Sequence, residues 1–376
     1  MIRVLVVEDS AVQRELLCAR LEEAGSFSIL GPARDGEEAV VLAERLRPDV
    51  ILMDCHMPRL DGIGATREIM DRTPTPIVIA SASLLPNETE LSFRALSAGA
   101  LAALYKPVAI DHPQHRQMVD ELIRTLREMA EIRVMRRPLQ IAPVVPQVPS
   151  REINSVRLVA FGGSTGAPGL IGNLLARLAG LPAPILIVQH LSEGFVAGFA
   201  EWLARYSHMP VEVAVDRKVV EPGHVYVAPD SYHLGITSLG RIDLSEAPPE
   251  SGFRPSASYL FRSVASAYGA SALGLVLTGM GRDGAQGMLA LRNAGGVTVA
   301  QDEASCVVPG MPNEARRIGA VQHVLAPSEI AAYIAQCVVP PPPSVNGQET
   351  PCDPRSHRLD RRGQSDAGGA DHLSAD

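Results

Sequence analysis

Met1-Ile2-Arg3-Val4-Leu5-Val6-Val7-Glu8-Asp9-Ser10 decides how the first part of the chain folds: an apolar, largely β-branched run that stops on two acids. The run is too short to span a membrane and lacks the small-residue cleavage site of a secretory signal. Working outward, comparable runs recur at Val50 to Met53, Ile77 to Ala80 and Leu101 to Tyr105, with the amphipathic stretch Val12 to Leu21 after the first. Strand-length apolar runs alternating with helix-length segments predict βα units on a parallel sheet buried on both faces. Met118, Leu122, Leu126 and Met129 share one helical face and place a closing helix that is expected to end near Arg137.

Further out, Pro138, Pro143, Pro146 and Pro149 block helix and central strand, so residues 138–154 read as a semi-rigid connector. A second αβ pattern follows, with strand-like runs at Leu158 to Phe161, Ile185 to Gln189, Val211 to Val215, Leu273 to Leu277, Val297 to Ala300 and Val321 to Leu325. Between Val225 and Leu244 the pattern predicts antiparallel hairpins. Four consecutive prolines from Pro340 open a polar, Gly- and Asp-rich end that is expected to be disordered. The expected organisation is therefore one unit over 1–125, with its closing helix to about 137, a linker over 138–154, a second unit over 155–337 and a tail over 338–376.

The 376 residues carry 42 acids against 34 Lys plus Arg, a net charge of −8, so nothing drives sequence-independent binding to nucleic acid or anionic membrane. Neither partner is expected, nor is membrane insertion. Cys18, Cys55, Cys306, Cys337 and Cys352 show no CxxC or zinc-ligand spacing and read as reduced thiols of a cytoplasmic protein.

In an open parallel sheet, functional groups collect beyond the carboxyl ends of the strands. Here those ends carry Glu8 and Asp9, Asp54, Ser81, and Lys106-Pro107. Converging carboxylates repel one another and ask for a hard divalent cation such as Mg²⁺, while Lys106 supplies a fixed positive charge. Singly, these residues could be caps and turns: Asp9-Ser10 could cap a helix, and Asp61-Gly62 is a common turn. Together, Val-Val-Glu8-Asp9-Ser10, Leu-Met-Asp54-Cys-His-Met57-Pro58-Arg-Leu-Asp61-Gly62 and Lys106-Pro107 resemble the receiver domain of two-component response regulators. The resemblance implies that Asp54 accepts a phosphoryl group, that Glu8, Asp9 and Asp54 hold Mg²⁺ with the main-chain carbonyl of His56, and that Ser81 and Lys106 sense the phosphoryl group. The family's aromatic switch position falls on Ala103, which puts coupling by an aromatic rotamer in doubt there.

The second unit opens on Leu158-Val159-Ala160-Phe161-Gly162-Gly163-Ser164-Thr165-Gly166-Ala167-Pro168. Residues 162–166 satisfy G-x-S-x-G, a sharp turn that can expose a serine Oγ beside backbone N–H groups. No Gly-Lys-Ser/Thr follows, and Phe161 occupies the first glycine position of a dinucleotide fingerprint, so the phosphate-cradling readings fail. His190 and Asp283 each lie just beyond another apolar strand, which on a parallel sheet puts an alcohol, an imidazole and a carboxylate on one edge. The order Ser…His…Asp is not that of an α/β-hydrolase.

Gly162-Gly-Ser164-Thr-Gly166, Gln189-His190, Arg254-Pro255-Ser256, Leu277-Thr-Gly-Met280-Gly-Arg-Asp283-Gly284, Ala300-Gln301-Asp302 and Gly310-Met311-Pro312 resemble the methylesterase domain of the CheB-type chemotaxis protein-glutamate methylesterases. The resemblance implies two doubly wound parallel-sheet domains, a flavodoxin-like receiver and a Rossmann-like catalytic domain with a hairpin region. It further implies a Ser164–His190–Asp283 triad with the Met280 N–H as oxyanion donor, and hydrolysis of γ-glutamyl methyl esters on the cytoplasmic helices of chemoreceptors. Deamidation of receptor glutamines, a histidine kinase as phosphodonor, a metal needed for phosphorylation but not for ester cleavage, and an unphosphorylated receiver covering the active site belong to the same expectation. Two other readings stand beside it. One is a catalytically degenerate, receptor-binding adaptor; the other is a DNA-binding response regulator, which the lack of a helix-turn-helix after the linker disfavours.

Overall fold

The computed structural model describes residues 1–82, 86–134 and 156–338, with backbone alone at 86–89. The linker expected over 138–154, and all but the first residue of the tail expected over 338–376, lie outside the described residues.

The first sheet contains β1 (Ile2–Val7), β2 (Phe27–Ala33), β3 (Val50–Asp54), β4 (Ile77–Ser81) and β5 (Ala102–Tyr105), interleaved with α1 (Ala11–Glu23), α2 (Gly36–Leu46), α3 (Gly62–Arg72), α4 (Pro86–Ala98) and α5 (His115–Ala130). Its strands run parallel in the order β2-β1-β3-β4-β5. The side-chain period of 2 divides the strand residues between two apolar layers: Val4, Val6, Leu52 and Val78 face Leu17 and Leu21 of α1 and Leu122 and Leu126 of α5, whereas Leu5, Val7, Ile51, Met53 and Ile79 join the α2–α4 side. Ser10 caps α1, as the sequence suggested, and Asp61, read from the sequence as a turn residue, caps α3.

Three details depart from the sequence reading. β2 was not predicted, because Gly31 and Pro32 interrupt it; it is an edge strand whose pairing with β1 shifts register between Val4 and Val6, where a proline is tolerated. α5 ends at Ala130 rather than near Arg137, since Glu131 closes a tight turn on Glu128 and Ile132 turns into the core. The region from Val225 to Leu244 is only partly antiparallel, as described next.

The second sheet is seven-stranded, parallel throughout, in the order β14-β13-β12-β6-β7-β9-β8. Its strands are β6 (Leu158–Gly163), β7 (Ile185–Gln189), β8 (Val211–Val213), β9 (Val225–Val227), β12 (Ala272–Val276), β13 (Val297–Gln301) and β14 (His323–Leu325). β9 thus pairs parallel to β7 and β8; only β10 (His233–Ile236) and β11 (Ile242–Ser245) form the expected antiparallel pair. Val159, Phe161 and Ile187 face α6 (Ala167–Arg177), α7 (Val196–Ser207) and α11 (Pro327–Cys337), while Leu158, Ala160 and Val188 face α8 (Ala257–Tyr268), α9 (Ala285–Asn293) and α10 (Gly310–Arg317). The chain leaves β6 in one direction and returns to its other side with β12. Each sheet therefore has a topological switch point, between β1 and β3 and between β6 and β12, where loops diverge and open a crevice.

Candidate functional site

Gly163 lies opposite Gln189 in register, so Ser164 and His190 leave neighbouring strands side by side. The Ser164 N–H donates to the Thr278 carbonyl (3.1 Å) and the His190 N–H to the Gly163 carbonyl (3.1 Å). One carboxamide, that of Gln189, donates to the carbonyls of both Ser164 and His190 at 2.9 Å. Gly279 closes against the serine: a Cβ there would lie 2.7 Å from the Ser164 Cβ and collide with the Met311 sulfur, so only glycine admits this approach. The Gln301 carboxamide accepts from Thr278 N–H (2.9 Å) and donates to the Ser305 carbonyl (3.0 Å), while Met311 N–H donates to the Gly279 carbonyl (3.0 Å). The Gln301-Asp302 and Gly310-Met311-Pro312 segments thus brace the 278–281 turn that carries Met280.

Asp283 is fully buried at the amino end of α8. Its Oδ1 accepts from Ser256 Oγ (2.7 Å), Ser258 N (3.0 Å) and Gly284 N (2.8 Å); its Oδ2 accepts from Ala257 N (2.7 Å) and meets His190 Nε2 at 2.9 Å. Burial alone would raise this carboxyl, but the hydrogen bond with His190 and those from Ser256 and Ser258 hold it well below the usual carboxylate range. The positive end of the helix acts in the same sense. The other imidazole nitrogen of His190, Nδ1, is buried and makes no hydrogen bond, so the Ser164 hydroxyl is not bonded to it here. The structure therefore joins His190 to Asp283 and sets Ser164 on the adjacent strand end without the serine–imidazole bond. Such bonds tighten on substrate binding in many hydrolytic sites.

At the first sheet's switch point, carboxylate oxygens of Glu8, Asp9 and Asp54 lie within 4.8 Å of one another. Lys106 Nζ reaches Glu8 Oε2 (2.7 Å) and Asp54 Oδ2 (3.0 Å), with all three side chains nearly excluded from solvent. Desolvation raises both the Glu8 and Asp54 carboxyls despite the lysine; Lys106 is itself raised, because the attraction of Asp54 and Glu8 outweighs its own desolvation. One ammonium does not neutralise three carboxylates, so the donor set fits a hard divalent cation. The His56 N–H donates to the Asp54 carboxylate. Ser81 is buried at the end of β4, its carbonyl accepting from Lys106 N–H (2.8 Å), so Ser81 and Lys106 follow Asp54 in turn along the sheet edge, on the side away from β1.

Residues 159–334 match the family model of the CheB methylesterase, and residues 4–120 that of the response regulator receiver domain. A protein-glutamate methylesterase/protein-glutamine glutaminase of Syntrophus aciditrophicus is 45% identical over 344 residues, covering 89% of this chain and 98% of that protein. One from Anaeromyxobacter dehalogenans is 48% identical over 338 residues, with 89% and 98% covered. The chain belongs to the CheB methylesterase family. The crystal structure of the Thermotoga maritima CheB methylesterase catalytic domain is 33% identical, covers 49% of this chain and all of its own, and superposes with a TM-score of 0.47.

In this CheB-family chain the receiver packs beside the catalytic crevice. Phe93 of α4, fully buried, stacks on Trp202 (centroids 5.7 Å apart) and lies 5.0 Å from Phe199, both on α7. Tyr105 stacks on Phe195 at 4.2 Å, and the Ser192 hydroxyl donates to the Ala103 carbonyl at 3.3 Å. Met280, Val307 and Val308, from the crevice rim, pack against the receiver cluster that contains Leu104, Leu122 and Leu126. Sequence reasoning missed Tyr105, Phe93 and the side-chain roles of Gln189 and Ser256. Tyr105 was detectable as the remaining aromatic beside Lys106-Pro107; the others act through contacts between segments far apart in sequence. Among the described residues, no helix is long and apolar enough to cross a membrane.

Proposed function

We propose that the chain is a phosphorylation-regulated protein-glutamate methylesterase that hydrolyses γ-glutamyl methyl esters on chemoreceptors, releasing methanol, and that also deamidates receptor glutamines. The observation that carries this reading is the buried Asp283 carboxylate, saturated with donors and bonded to His190 beside the strand end that bears Ser164. Asp283 fixes the imidazole through Nε2, which leaves Nδ1 to take the Ser164 proton as Oγ attacks the ester carbonyl. The oxyanion is met by the Met280 N–H, on the turn that Gln301 and Gly310 brace. His190 then returns its proton to the departing methoxide. In the second half it takes a proton from water, whose oxygen attacks the acyl carbon; the bond from that carbon to Ser164 Oγ then breaks, His190 returns the proton to Oγ, and free glutamate leaves. An amide carbonyl presents the same geometry with ammonia leaving.

In the receiver, Asp54 accepts the phosphoryl group from a histidine kinase, and Lys106 and the Ser81 hydroxyl pair with the new oxygens. Mg²⁺ would be held by Glu8, Asp9, Asp54 and the His56 carbonyl and would offset the charge of the phosphoryl oxygens. Lys106 follows Tyr105 directly, so a rearrangement of Lys106 from Glu8 and the carboxylate of Asp54 onto the new phosphoryl oxygens acts on the Tyr105–Phe195 contact and the loop after His190. Packing of Met280, Val307 and Val308 on the receiver supports occlusion of the crevice before phosphorylation.

The test is methanol release from methylated receptor by the purified chain, with and without a small phosphodonor and Mg²⁺. Ser164→Ala should abolish release, and Asp54→Asn should keep the basal rate but lose the response to phosphodonor. Full demethylation by folded Ser164→Ala protein would contradict the proposed serine mechanism, and no methanol release by folded wild-type protein would favour the adaptor reading.

A further inference from the structure

Phe253 lies over His190 with ring centroids 3.9 Å apart and planes 2° from parallel. Parallel rings this close are in face-to-face contact, so the imidazole lies against the phenyl face. A cation on the face of the phenyl ring adds an electrostatic attraction to that contact. His190 becomes such a cation only after it takes the proton of Ser164, a consequence that rests on the function proposed above. From this geometry we infer that Phe253 is a positioning residue for ester cleavage: it fixes the imidazole plane and stabilises the imidazolium that forms in the transition state.

Residues 250–253 hold the ring in place. Ser251 and Gly252 both adopt left-handed φ angles (53° and 87°), and Glu250 and Phe253 exchange backbone hydrogen bonds of 3.0 and 2.9 Å, the geometry of a tight two-residue hairpin. Glu250 pairs with Arg262 of α8, and the Arg254 guanidinium donates to the carbonyls of Glu246 (2.9 Å) and Ala247 (3.3 Å). The helix whose amino end grips Asp283 therefore also anchors the turn that presents Phe253. His190 is held from both sides by one element, at Nε2 through the acid and on its face through the phenyl ring. Because the attraction strengthens only as charge develops, it acts on kcat and leaves KM unchanged.

The experiment replaces Phe253 in the full-length chain with mono-, di- and trifluorophenylalanine, which withdraw electrons from the ring face while nearly preserving its shape. Methanol release from methylated receptor is then followed with phosphodonor and Mg²⁺ present. Stepwise loss of kcat, reaching about tenfold across the series at constant KM, is expected. Phe253→Leu should lose about as much kcat, and Phe253→Tyr should stay close to wild type. A flat kcat across the fluorinated series, or a loss confined to KM as a substrate-contact role would give, overturns the inference. The two readings separate through Ser164→Ala: if that variant is inactive while the fluorinated series is flat, only the role of Phe253 fails. If Ser164→Ala is active, the triad fails and takes this inference with it.

Discussion

Two buried carboxylates at strand-end crevices, Asp54 and Asp283, have opposite surroundings. Asp283 receives hydrogen bonds from Ser256, Ala257, Ser258 and Gly284 as well as its contact with His190, and its carboxyl is held well below the ordinary range. Asp54 shares its crevice with two further acids and one lysine, and burial holds its carboxyl above the ordinary range. A carboxylate whose lone pairs are satisfied by fixed donors is an anchor: it stays ionised and orients its partner. A carboxylate that shares one cation with two other acids is left short of positive charge, and this suits it to bind a metal and to accept a group that brings its own charge.

The largest test of this contrast is Asp283→Asn. With the acid neutral, the imidazole tautomer is no longer fixed and no charge balances the imidazolium, so kcat should fall about 10³- to 10⁴-fold with substrate affinity little altered. Asp54→Asn should leave the unphosphorylated rate unchanged. If the two variants lose basal activity equally, the division of roles is wrong.

Next in size is a difference in stability linkage. Protonation of raised groups such as Glu8 and Asp54 favours the folded state, so lowering the pH from neutral toward their folded values strengthens the receiver. The depressed Asp283 contributes fully above its unfolded value and loses its contribution only as pH falls through its folded one, well below the ordinary carboxylate range. At neutral pH, Mg²⁺ at a hundred times its dissociation constant should stabilise the receiver by about 2.7 kcal/mol, measured as a shift in thermal unfolding. Asp54→Asn should raise stability without the metal and reduce the Mg²⁺ response. A response equal to wild type would remove Asp54 from the metal site.

Ser256→Ala sharpens the anchor half. It deletes the one side-chain hydroxyl that donates to Asp283, a hydrogen bond to a charged group worth about 1.5–3 kcal/mol, so a loss of about tenfold or more in kcat is expected. In an Asp283→Asn background the same change should have little further effect. Additive losses would mean that Ser256 only caps α8, whose Tyr259 N–H it also accepts.

Much of this contrast was legible in the sequence. Glu8, Asp9, Asp54 and Lys106, like Ser164 and His190, sit at or just after the last residue of an apolar run, and parallel strands bring such positions to one rim whatever the loops do. Asp283 lies seven residues beyond the end of β12, and its placement needed the motif around it. What escaped is what α8 contributes. The turn at Ser251 and Gly252, the Ser256 hydroxyl and the Phe253 ring are distant from His190 and Asp283 in sequence, and no periodicity encodes their convergence. β2 escaped for a local reason, its Gly31-Pro32 pair, which only an edge strand accommodates.

The smallest expected effect tests the join between the two regions. Phe93 belongs to the receiver but is buried by aromatic residues of the catalytic unit, Phe195, Phe199 and Trp202, so its packing holds the two together. Phe93→Leu keeps an apolar side chain and removes the ring contacts. If aromatic packing is worth about 1 kcal/mol there, the population with an open crevice should rise about fivefold. The unphosphorylated rate should rise by that factor, while the rate with phosphodonor stays fixed, because under the proposed occlusion phosphorylation already favours the open arrangement. A rise in both rates would assign the effect to the catalytic crevice, and no rise in either would show that the Phe93 contacts do not restrain the receiver. The unchanged phosphorylated rate is therefore the decisive half of the measurement, since only a shift in the closed population leaves it untouched.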